Sequence, residues 1–217
     1  MPAVSFFVDF EKDLKYIQKY FPIFRKTCGD YFDTLIRPSY PHCYRKTDKE
    51  ILEYFKRNKK KIISENKHAG KNLKQEWNRI KYDFFKQVEQ ITGFKWEKKI
   101  YYCHISSSYL CGGYKKPNVV IVCPLLKEPI ATLAHELVHL YFLDVLNRLN
   151  ITLDPKAYWK LSETIVPLVI SKTNIKQAKH EKEINYFSLI STYKKLKSLK
   201  SGNFKKLVFD SIELIKK

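Results

Sequence analysis

The segment from Ala131 to Leu149 constrains this chain more than any other. It is apolar and reads as a helix, yet its centre spells His135-Glu136-Leu137-Val138-His139. Leu133, Leu137 and Leu140 fall on one face, suited to pack on a core. His135, Glu136 and His139 fall on another, where packing supplies no reason for polarity. With six histidines in the chain, shuffling of this composition would produce H-E-x-x-H only about 0.01 times.

The surrounding elements follow from periodicity and punctuation. Val4, Phe6, Val8 and Phe10 alternate, which predicts a short strand. Glu11 to Phe21 reads as a helix ending at Pro22, and Thr27 to His42 as irregular. Thr47 and Glu50 form a capping box that opens a helix from Asp48 to Glu65. His68 to Gly70 breaks it, and a second helix runs from Asn72 to Ile91. Gly93 suits its C-cap. Trp96 to Ile105 reads as a strand, Ser106 to Lys116 as a loop or hairpin turn, and Asn118 to Cys123 as a second strand stopped by Pro124. Pro129 opens the motif helix, which ends near Asn150. Asp154 and Pro155 cap a helix to Ser171, and helices over Glu181–Leu199 and Asn203–Lys216 close the chain. The fold class is α+β, helix-rich, with a small sheet preceding the motif helix. Residues 1–93 read as a helical subdomain and 94–217 as the region bearing the motif, within one compact domain.

The spacing of the motif has a chemical consequence. Helix positions four apart lie about 40° apart in projection and roughly 6 Å apart along the axis. His135 and His139 can therefore both reach one tetrahedral ion, with N–Zn bonds of about 2.0–2.1 Å. Glu136 lies about 60° from His139, beside the metal and not on it. Zinc acidifies a coordinated water towards a pKa of about 7. Glu136 is placed to take its proton as general base and to pass it to a leaving amine.

This core resembles the zincin metallopeptidases, over about Asn118 to Ile170. The resemblance implies a small sheet, an active-site helix and a following helix with a third ligand. The metzincin continuation is absent, since Phe142 and Val145 stand where that branch has Gly and His. The gluzincin branch, with a Glu on the next helix, implies Glu163 as the third ligand. Its neighbours Leu161, Ile165, Leu168 and Val169 are apolar, and a metal would neutralise a carboxylate that is otherwise costly to bury there. Gluzincins of the thermolysin type carry an Asp four residues after the ligand Glu. Here Pro167 occupies that place, so support for a ligand histidine falls to Asp144, Asp154 or Ser162. Asp144 itself points about 140° away from His139. The resemblance further implies that the strand Asn118, Val119, Val120 and Ile121 borders the cleft and pairs with extended substrate. It also implies an oxyanion donor, with His180, Tyr158 and Tyr186 as candidates. The expected cofactor is one Zn2+ per chain and the expected partner a peptide or protein substrate.

Composition bounds the alternatives. A net charge of +19 admits nucleic acid or acidic partners. Only six of the basic residues are Arg, and Lys lacks the planar fork that reads bases. A SprT-like protease acting on DNA-bound proteins would carry a third His soon after the motif, yet none follows before His180. A zincin scaffold kept only for binding is a further alternative, opposed by an intact Glu136. Five cysteines, an odd count without C-x-x-C spacing, argue for reduced thiols over a disulfide framework or a zinc knuckle. Neither a signal peptide nor a membrane span is expected, and the cytoplasm is the default location.

Overall fold

The computed structural model describes residues 1–29, 32, 40–108, 112–125, 127–179, 189–198 and 203–216. Its order is β1 (Ala3–Phe7), α1 (Phe10–Cys28), a 3-10 turn at Pro41–Cys43, α2 (Asp48–Arg57) and α3 (Lys59–Thr92). Then come β2 (Ile100–Ile105), β3 (Gly113–Lys115), β4 (Val119–Val122), α4 (Pro129–Arg148) and α5 (Pro155–Ser171). A 3-10 turn at Lys176–Ala178, α6 (Ile190–Ser198) and α7 (Phe204–Lys216) complete it. The architecture is α+β.

The four strands form one mixed sheet in the order β1-β2-β4-β3. β1, β2 and β4 run parallel, and β3 returns antiparallel on β4. The return to β1's neighbour requires the long crossover through α1, α2 and α3, since parallel strands cannot be joined by a tight turn.

α4 is the central helix. Ile130, Leu133, Leu137, Val138, Phe142 and Val145 are buried all round it, as expected of a helix apolar on every side. β4, β3, α3, α5 and the second 3-10 turn pack against it. α5 begins where its punctuation predicts. Asp154 accepts from the amides of Lys156 and Ala157, both at 2.9 Å, and Pro155 takes the first helical position. The capping box of α2 is formed in both directions, with Thr47 N donating to Glu50 Oε2 at 2.8 Å and Glu50 N to Thr47 Oγ1 at 3.3 Å.

Several boundaries differ from the sequence reading. α1 runs through the exposed Pro22 to Cys28, because a proline costs one helical bond and the partner it strands, the carbonyl of exposed Gln18, lies on the solvent side. The helix break falls at Asn58, not at His68–Gly70. Asn58 directs its side-chain Nδ2 to the Tyr54 carbonyl at 2.8 Å, competing with helical bonding as Asn does. Gly70 lies inside α3 because a Cβ there would stand 3.1 Å from Ile105 Cγ1. Close packing of helix on sheet selects it. β2 is shorter than Trp96–Ile105, and the indole Nε1 of Trp96 donates to the Phe85 carbonyl at 3.2 Å, which holds that residue in the core. Most of Glu181–Leu199 before α6 lies outside the described residues.

Two apolar clusters fill the interior. One joins Ile17, Phe21, Cys43, Ile51, Phe55 and Ile62. The other is built on α4 and takes in Leu73, Trp77, Phe84 and Val88 of α3. Both clusters draw on α3, the first through Ile62 and the second from Leu73 onward. β1, moreover, belongs to the sheet and pairs with β2.

Candidate metal centre

α4 presents His135 and His139 one turn apart, and α5 brings Glu163 across to them. His135 Nε2 and His139 Nε2 lie 2.9 Å apart. Glu163 Oε2 is 3.7 Å from His135 Nε2, and Glu163 Oε1 is 3.4 Å from His139 Nε2. Ligands on a tetrahedral ion with bonds of about 2.0–2.1 Å stand roughly 3.3 Å apart. The three side chains are donor types that could hold a metal ion, at separations close to that value. Among the described residues they are the one group of three or more His, Cys, Asp or Glu side chains so arranged.

The electrostatics are those of a buried site. Burial pulls His139 well below the ordinary imidazole range, and the neighbouring His135 adds to this. Burial also opposes protonation of His135, but the nearby carboxylates of Glu163 and Glu136 outweigh that and raise it. Glu136 is pushed up to about 7, first by burial and further by Glu163, against the opposing pull of His135. A carboxylate with that affinity for protons is suited to general acid–base work near neutrality.

Around this trio lie residues that the sequence did not single out. Tyr114 of β3 stacks on His139, with ring centroids 5.0 Å apart and planes 19° apart. Its hydroxyl donates to the Tyr158 hydroxyl at 3.0 Å. Burial raises the pKa of both phenols. Gly112 lies directly over α4. A Cβ there would clash with Thr132 Cγ2 and stand 2.8 Å from Glu136 Oε1, so glycine lets the chain pass this close to Glu136. The Gly112-Gly113 pair was the only sequence signal for this approach.

The remaining candidates divide. Tyr158 is brought to the site through Tyr114. His180 and Tyr186 lie outside the described residues. Asn118, Val119, Val120 and Ile121 do not form an edge, because β4 has β2 on one side and β3 on the other. Asn118 spends its side-chain amide on the Ile100 carbonyl at 3.0 Å. The edge beside the site is β3, a strand too short for periodicity to register. Asp144 faces Lys98 at 3.6 Å, Asp154 caps α5, and Ser162 donates to the Trp159 carbonyl at 3.1 Å. None of the three supports a site histidine. His139 Nδ1 is buried without a hydrogen-bond partner among the described residues.

No protein-family model, curated protein or solved structure matches the chain.

Proposed function

We propose that the chain is a zinc-dependent metallopeptidase of gluzincin-like design. The observation that carries this reading is the convergence of His135, His139 and Glu163 with a buried Glu136 beside them. His135 and His139, neutral at Nε2, and Glu163 would hold the ion. A zinc ion held there would supply Lewis acidity to a water molecule. Glu136 is placed to take a proton from the attacking water and to give it to the leaving amine of the scissile peptide. Its raised proton affinity suits both halves of the cycle. The β3 edge offers backbone groups to an extended substrate. The Tyr114–Tyr158 hydroxyl pair stands beside the ligands as a source of a donor to a developing oxyanion. The buried thiols of Cys43 and Cys103 are in no disulfide among the described residues.

The test is cleavage of an unfolded protein and a peptide library by zinc-loaded wild type beside Glu136→Gln. Hydrolysis by the wild type and its loss in the variant, with zinc retained, are the expected results. An equally inert pair that still binds zinc would reduce the reading to a non-catalytic scaffold.

A further inference from the structure

The metal centre lies by the β3 edge of the sheet. The opposite edge, β1, has a neighbour on one side only. Ala3 N donates to the Lys99 carbonyl at 2.8 Å, and the parallel register runs from Ala3↔Ile100 to Phe7↔His104. Ala3, Ser5 and Phe7 thus direct their backbone groups to β2. The alternation of a parallel ladder turns the N–H and C=O of Val4 and Phe6 outward, where no strand among the described residues meets them. Such a row is a template for another extended chain.

α3 packs along β1, and a hollow opens between them at each end of the strand. The hollow at the carboxyl end has a volume of about 410 Å3. Phe6, Phe7, Val8 and Ile105 form its apolar wall, and Lys67, Lys71 and Lys74 its rim. These lysines recur at i, i+4 and i+7 on the exposed face of α3. No carboxylate of the described residues pairs with them, whereas Lys61, nearly two turns earlier, pairs with Glu65 at 3.9 Å. Phe6 belongs both to the outward-facing edge and to the hollow.

The chemistry of this surface selects its occupant. Three lysines call for carboxylates, the apolar wall for a hydrophobic side chain between them, and the free edge for an extended backbone. Single-stranded nucleic acid fits poorly. One face of Phe7 stacks on His104 at 4.9 Å and Lys12 Nζ stands over the ring at 5.2 Å, so no base can stack there. A second copy also fits poorly, because each chain carries +19 and like fields repel. We propose that the β1 edge and its lysine-rimmed hollow bind an extended acidic segment of a partner protein. That segment adds as a strand beside Val4–Phe6, with an apolar side chain in the hollow and carboxylates against Lys67, Lys71 and Lys74. The site is distinct from the metal centre and does not depend on it.

The test uses full-length Glu136→Gln protein, which keeps binding separate from cleavage. The probe is a fluorescent peptide in which Glu alternates with Val, compared by anisotropy with its Gln-for-Glu counterpart and with oligo-dT. Tighter binding of the acidic peptide, a loss of about tenfold or more in K67Q/K71Q/K74Q, and shifts of the Val4 and Phe6 amide resonances on saturation are expected. All three lysines are exposed, and an unchanged melting curve checks that the triple variant folds. Equal binding by the triple variant, or unmoved Val4 and Phe6 amides, would overturn the proposal. So would oligo-dT binding more tightly than the peptide, or a concentration-dependent dimer through this edge, each assigning the surface to a different occupant.

Discussion

At the scale of single residues, burial decides what each polar group of the centre can do. Glu136 is buried beside Thr132 and Gly112. Replacing it with Gln removes the proton acceptor and keeps the shape. Peptide hydrolysis should fall by about 10²–10⁴-fold, the usual worth of general acid–base catalysis, with zinc content unchanged. Gly112→Ala places a methyl group against Thr132 Cγ2 and Glu136 Oε1, and overpacking of this kind costs roughly 1–3 kcal/mol. Thr132→Ser in the same chain removes Cγ2 and should recover part of the melting temperature. Activity should stay low, since the contact with Glu136 persists. Protons compete with the metal at the histidines. The pKa of His135 is raised and that of His139 lowered, so His135 protonates first as pH falls. Zinc affinity should therefore begin to drop above the ordinary imidazole pKa of about 6.5, first with a one-proton slope. Affinity measured by competition titration that stays flat across this range would contradict the assignment of His135 as a ligand. The spacing of His135, Glu136 and His139 is legible in the sequence because one helical turn fixes their relation. Glu163 is legible because a lone carboxylate in an apolar helix has few other reasons to be there. Tyr114 and Gly112 are not legible, since their contacts depend on how a three-residue strand folds back over α4.

At the scale of elements, local signals define helix starts better than helix ends. Asp154 and Thr47 announce α5 and α2 because each satisfies amides that a helix terminus leaves open. Thr47→Ala should lower stability by about 1 kcal/mol, read by thermal or urea unfolding. The ends depend on the rest of the molecule. Pro22 and Gly70 look like breakers in isolation, yet α1 continues past one and α3 past the other. The exposed face of α1 tolerates a missing bond, and the approach of Ile105 to α3 demands a residue without Cβ. Strand identity has the same limit. Val119–Val122 is apolar because it is enclosed by β2 and β3, and an enclosed strand cannot serve as the edge that meets substrate. The three residues Gly113–Lys115 carry too little pattern to announce that they form the sheet edge.

At the scale of the whole molecule, the two cores are joined through α3 and through a buried polar contact. Asp13 of α1 accepts from Ser106 Oγ at 2.6 Å and stands 3.2 Å from His104 Nε2, and all three residues are buried. Removing the carboxylate takes a buried hydrogen-bond acceptor from Ser106, so Asp13→Ala should destabilise the protein by roughly 1–3 kcal/mol, measured by denaturant unfolding. The α+β class was legible from the order of periodic segments. The sharing of α3 between two cores was not, because periodicity shows that a face is apolar and not what it will meet. The same sheet has β3 at the edge near His139 and β1 at the far edge. The central claim concerns the candidate metal centre, and zinc stoichiometry tests it most directly. Purified wild type should carry about one zinc per chain, and His139→Ala and Glu163→Ala should each lose it or bind it far more weakly. A wild-type protein that takes up no zinc even when zinc is supplied would contradict the account.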